Sequence, residues 1–112
     1  MLRIYPVVLT TIQQLRGPVA QLERRNPDLA RQLTRCSASV ALNIAEGTYS
    51  RGRRREARYH DALGSAREVL ACLEVAHAQG ALSAPPPTLL AHLNHIIGTL
   101  VKLVGPGRVP PE

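Results

Sequence analysis

The chain has 112 residues and a formal net charge of +6, from 14 basic against 8 acidic side chains, which fits one small domain and favours polyanions or anionic membrane surfaces. It has no Trp, no Phe and three Tyr, so its core must be built from Leu, Ile, Val and Ala. No run of about 18 apolar residues exists to cross a membrane, and no charged n-region with an apolar run and small-residue cleavage site marks a signal peptide.

Thirteen of the basic residues are Arg and only Lys102 is Lys. An Arg bias of this kind accompanies GC-rich coding, so the evidence lies in the net charge, for which nucleic acid is the first candidate. Cys36 and Cys72 lack metal-ligand spacing and read as buried thiols rather than a disulfide. The protein is expected to be cytoplasmic.

The first element is predicted over about 4–25, where Val8, Ile12, Leu15, Val19 and Leu22 form one apolar stripe at helical spacing. Gly17-Pro18 interrupts it, and the missing proline N–H predicts a kink there. The second helix is predicted over about 27–46. Asn26-Pro27-Asp28 supplies an N-cap, a first-turn proline and an acid near the positive helix end. Its stripe is Leu29, Leu33, Cys36, Val40 and Ile44, and Gly47 is the expected C-terminal stop.

The third helix, about 53–79, places Tyr59, Ala62, Leu63, Ala66, Val69, Leu70, Leu73 and His77 on one face. The fourth, about 86–104, follows Ser83-Ala-Pro-Pro-Pro and is stopped by Gly105-Pro106-Gly107, leaving 105–112 as an expected disordered tail. The connections are short, at Asn26, Gly47 to Gly52 and Gly80 to Pro85. Short loops between long helices force antiparallel neighbours, which predicts an all-α, up-down-up-down four-helix bundle.

Two features exceed what a lone bundle needs. Leu89, Leu90, Leu93, Ile96, Ile97, Leu100, Val101, Leu103 and Val104 sweep roughly 160° of the fourth helix, against about 100° for a core-facing stripe. On the third helix Ala57, Gly64, Ala71 and Ala78 recur every seven residues away from the core face. A column of small side chains admits another helix closely, although an Ala-rich chain also scatters alanines without purpose. Leu42 lies opposite the core stripe of its own helix and joins Gly64, Ala71 and Ala78 as a candidate oligomer interface.

Arg35, Ser39 and Asn43-Ile44-Ala45-Glu46-Gly47, followed by Ala62-Leu63-Gly64-Ser65 and Glu68, resemble the bacterial 23S rRNA intervening-sequence (S23-like) four-helix bundle family. That family is related to the accessory protein of diversity-generating retroelements. The resemblance spans nearly the whole chain and implies a bundle that assembles into a homo-oligomer, a pentamer, with a nucleic-acid role. The chain departs from the family's pattern at Gly17-Pro18, in its Arg-rich second loop, and in the missing aromatics of the first helix and after the second loop.

Read physically, Arg35, Ser39 and Asn43 form a ladder at four-residue spacing beside the apolar stripe, with Glu46 on the same flank. Half-buried polar groups need partners, since each one left unsatisfied costs about 1–3 kcal/mol. The ladder therefore reads as a structural network, with Glu68 as a partner for Arg35, in preference to a binding pocket.

Arg51, Arg53, Arg54, Arg55 and Arg58 put five cations into eight positions straddling a helix N-terminus. The macrodipole disfavours cations there, while exposed backbone donors at the same end suit a phosphate. The plainer alternative is a solvated loop in an Arg-rich protein. His92 and His95 stand three apart but no carboxylate or Cys is near in sequence to complete a metal site, and His60 and His77 stand alone. No catalytic arrangement, phosphate-binding glycine loop or cofactor motif is present.

The expected function is thus a non-enzymatic, homo-oligomeric accessory protein that binds RNA or DNA through backbone charge. The competing expectation is a protein-interaction scaffold whose wide apolar faces bind itself and another protein, with the arginines only solubilising it.

Overall fold

The computed structural model describes residues 2–105, all of them in helices or the turns between helices. The helices are α1 (Ile4–Gln14), α2 (Arg16–Glu23), α3 (Pro27–Thr48), α4 (Gly52–Ala78) and α5 (Pro87–Val104). The first two are halves of one bundle position. α3 packs on α1, α2 and α4, while α5 packs on α4 and α1, closing a four-cornered antiparallel bundle. The expected tail beyond Gly105 lies outside the described residues.

The first helix is broken at Leu15 rather than at Gly17-Pro18. Pro18 has no N–H to offer the carbonyl of Gln14, so the α ladder lapses one turn ahead of it. Leu15 bridges the break, its N–H reaching Thr11 O at 3.0 Å and its carbonyl accepting from Val19 N at 2.9 Å.

α3 opens as its sequence dictates. Asn26 Oδ1 accepts from the Leu29 N–H at 3.1 Å, with Pro27 in the first turn and Asp28 behind it. Asp28 also pairs with Arg31 at the surface. The helix does not stop at Gly47 but runs to Thr48, because Gly47 is buried against Tyr59 where a Cβ would collide with the ring.

α4 ends on a Schellman motif. Gly80 adopts φ +73°, its N–H reaches His77 O at 3.0 Å, and the Ala81 N–H reaches Ala76 O at 2.9 Å. His77, expected on the core face, is exposed; the buried face drifts instead onto Cys72 and Ala76. A regular helix advances about 100° per residue, so a long apolar stripe rotates away from any fixed set of positions. The His77 ring is held at the rim by Nδ1–H donating to Leu82 O at 3.0 Å.

The core joins all elements through Val8, Leu22, Leu33, Ile44, Val69, Leu73, Leu93 and Leu100. An interior gap beside Thr11 holds about 10 Å³, room for one water at most, so it is no small-molecule site. Of the wide arc on α5, Leu89, Leu93, Ile96, Leu100 and Val104 are buried, while Leu90, Ile97 and Val101 are half-buried and Leu103 is exposed.

Candidate functional site

The end of α3 and the start of α4 are joined by a tightly held turn. The Tyr49 N–H donates to Glu46 O at 3.2 Å and the Ser50 N–H to Gly47 O at 3.2 Å. Ser50 Oγ–H also donates to Glu46 O at 2.8 Å. Arg55 Nε–H then reaches back from α4 to Gly47 O at 3.2 Å and Ser50 O at 3.0 Å. The last carbonyls of a helix lack partners within it; here the turn's own N–H groups and Ser50 Oγ reach Glu46 O and Gly47 O, and a cation from the next helix adds a second bond to Gly47 O. Arg51 is extended and Gly52, at φ +55°, turns the chain into α4.

The five arginines therefore divide. Arg55 caps α3, and Arg58 Nε pairs with Glu46 Oε2 at 3.1 Å across the α3–α4 groove. Arg51, Arg53 and Arg54 are exposed, and no ion pair of theirs occurs among the described residues. The first turn of α4 contains no acid, and its N-cap residue, Arg51, makes no side-chain cap bond. Positive side chains thus stand at the positive pole of a helix of 27 residues. The antiparallel topology brings two more cations to this end of the bundle: Arg3, which precedes α1, and Lys102, in the last turn of α5.

The polar ladder is present but pairs differently from the expectation. Asn43 Nδ2–H donates to Ser39 Oγ and to Ser39 O, both at 3.0 Å, and Ser65 Oγ–H donates across to Ser39 Oγ at 2.9 Å. Glu68 accepts from Gln32 Nε2 at 2.9 Å rather than from Arg35. Gln32 stands almost one turn before Arg35, and the Arg35 side chain is left exposed. No buried side-chain nitrogen or oxygen lacks a partner among the described residues. The Ser65–Ser39 and Gln32–Glu68 bonds join α3 to α4.

The candidate interface residues lie outward. Leu42 is 63% exposed, and Ala57, Gly64, Ala71 and Ala78 form an exposed column on α4, with Val75 also exposed. Tyr49, at 86%, is more exposed than Leu42 or Val75, and sequence reasoning missed it. The available signal was an aromatic two residues ahead of an arginine run.

Cys36 and Cys72 are free buried thiols. Burial, then the neighbouring Cys72 and Glu68, push the Cys36 thiol from its ordinary 9.0 up to about 12. Burial likewise raises Cys72. Such thiols are poor nucleophiles. No group of three or more His, Cys, Asp or Glu among the described residues could hold a metal ion. His92 is instead bonded through Nδ1 to Gln14 Oε1 at 2.8 Å, tying α5 to α1. No described helix is long and apolar enough to cross a membrane.

No curated protein and no solved structure matches the chain. The 23S rRNA-intervening sequence protein model matches residues 13–102, a span running from α1 to the last turn of α5, and the chain belongs to that family.

Proposed function

We propose that this protein is a non-enzymatic, cytoplasmic accessory protein that binds RNA or DNA through the phosphate backbone and acts as a homo-oligomer. The observation that carries the reading is the set of exposed arginines Arg51, Arg53 and Arg54, which make no ion pair among the described residues, at an N-terminal helix turn that contains no acid. A phosphate there would neutralise the side chains and meet the helix dipole and the first backbone donors together. Arg55 and Arg58 contribute charge while holding the turn. The family's name refers to 23S rRNA, which supports an RNA partner.

Assembly strengthens such a site because repetition of weak binding raises avidity without new chemistry. The exposed Leu42 and the small-residue column through Gly64, Ala71 and Ala78 are the surfaces we assign to it, and the family resemblance favours a pentamer. Every subunit would then present the same basic end.

The test is binding as a function of salt. Wild type should bind with little sequence preference, log affinity falling linearly with log salt. Replacing Arg51, Arg53 and Arg54 together by Ala should weaken binding uniformly and flatten the slope by roughly 0.7–0.9 for each phosphate no longer neutralised. Full affinity with an unchanged slope in that variant would remove the cluster from the site. A scaffold function is the second reading, favoured by the exposure of Leu42 and Val75. It predicts no nucleic-acid binding at low salt and protein association that salt does not weaken.

A further inference from the structure

We propose that the arginine-bearing end of the bundle takes a single strand of RNA or DNA, and that Tyr49 stacks on one of its unpaired bases. The proposal rests on the nucleic-acid reading above and narrows it to single strands.

Singly exposed apolar side chains are ordinary on protein surfaces. What sets Tyr49 apart is where it stands and how it is held. The residue is 86% exposed, yet the backbone of its turn is closely bonded. Its own N–H is bonded to Glu46 O, and Ser50 beside it is bonded through N–H and Oγ–H. Arg55 Nε–H bridges the carbonyls of Gly47 and Ser50, bracketing residues 48 and 49 from outside. The backbone that carries the ring is already held and the side chain is exposed, so stacking orders no backbone that is not already ordered.

Charge surrounds this ring. Arg51, Arg53 and Arg54 follow within five residues of Tyr49, and the topology adds Arg3 and Lys102 at the same end of the bundle. An electropositive surface that tracks a phosphate backbone, with an aromatic face beside it for a base, is the arrangement single strands use. In a duplex the base faces are already covered by their neighbours, so Tyr49 has nothing to stack on and only the charge acts.

The test uses the full chain as wild type, Tyr49→Ala and Tyr49→Phe, with a labelled homopolymeric single strand and a blunt-ended, loop-free duplex of equal phosphate number, across a salt series. Tyr49→Ala should weaken single-strand binding about 5- to 150-fold, leave duplex binding nearly unchanged, and keep both salt slopes, because stacking releases no counterions. Tyr49→Phe should retain wild-type affinity. A Tyr49→Trp variant, carrying the sole Trp of the chain, should show fluorescence quenched by the single strand and not by the duplex. Equal losses on both ligands, no loss on either, or no quenching would overturn the proposal. If wild type binds both ligands alike and Tyr49→Ala is silent, stacking falls while the nucleic-acid reading stands. If wild type binds neither at low salt, both fall.

Discussion

Gly47 of α3 packs closely against the ring of Tyr59 of α4: a Cβ placed on Gly47 would meet Cε1 in hard overlap and stand 2.8 Å from Cδ1. The helix passes through this glycine in ordinary helical conformation, so the glycine serves close approach rather than an unusual backbone. Tyr59 is itself 6% exposed and cannot swing aside cheaply.

Gly47→Ala should therefore destabilise the protein by about 1–2 kcal/mol, overpacking of about 1–3 kcal/mol outweighing the gain of up to about 1 kcal/mol in helix propensity. Urea unfolding measures it. Combining Gly47→Ala with Tyr59→Leu should cost less than the sum of the two single changes, because the smaller side chain makes the room.

Arg55 and Arg54 should behave oppositely although they are neighbours. Arg55→Ala takes the side-chain donor from Ser50 O and leaves Gly47 O with the Ser50 N–H alone, and should cost about 1 kcal/mol, lowering the melting temperature by about 4 °C or somewhat more. Arg54→Ala removes a cation from a helix N-terminus and should be neutral or raise stability by about 0.3–1 kcal/mol at low salt. Thermal melts at low and high salt separate the two effects, since only the second is screened away.

The buried thiols should give the protein an alkaline limit. Between the ordinary 9.0 and about 12, the unfolded chain gives up the Cys36 proton that the folded chain keeps. The contribution is thus complete below about pH 9 and declines as pH rises toward the folded value. Denaturation at stepped alkaline pH should show a shallower decline for Cys36→Ala than for wild type. Native protein should also resist a chromogenic disulfide reagent at pH 8 that titrates both thiols once it is unfolded.

The outward surfaces can be tested without touching the core. Leu42→Glu should reduce the mass measured by light scattering while leaving the helical circular dichroism intact. Gly64 has nothing near its Cβ position, so within one subunit Gly64→Ala should stabilise by about 0.5–1 kcal/mol. Gly64→Phe should block assembly where Gly64→Ala does not, if α4 is where a second helix approaches.

The helical stripes were legible because residues such as Leu33, Cys36, Val40 and Ile44 recur at the helical period, and burial follows that period. The Asn26 cap and the helix-ending role of Gly80 were legible because each is a local rule. Gly47 misled because glycine has two uses, stopping a helix and admitting a neighbour, and only the position of Tyr59, remote in the sequence, decides between them. The division among the arginines was hidden for the same reason. Five adjacent cations look alike until Arg55 is seen to cap α3 and Arg58 to meet Glu46 across the groove. Glu68 took Gln32 instead of Arg35 because the rotation of α3 against α4 sets which rung of the ladder it meets. Tyr49 escaped notice because spacing reveals what a helix buries and says little about a turn residue held out into water.

The break at Leu15 gives the bundle a weak seam. α2 buries Leu22 alone, whereas α1 buries Ile4, Val8 and Thr11 and is tied to α5 through Gln14 and His92. With one ladder bond missing at Pro18, α2 should lift from α3 more readily than α1 leaves the bundle. Its amides should exchange with solvent ahead of those of α1, so the first quarter of the chain should come apart as two units where its apolar stripe reads as one.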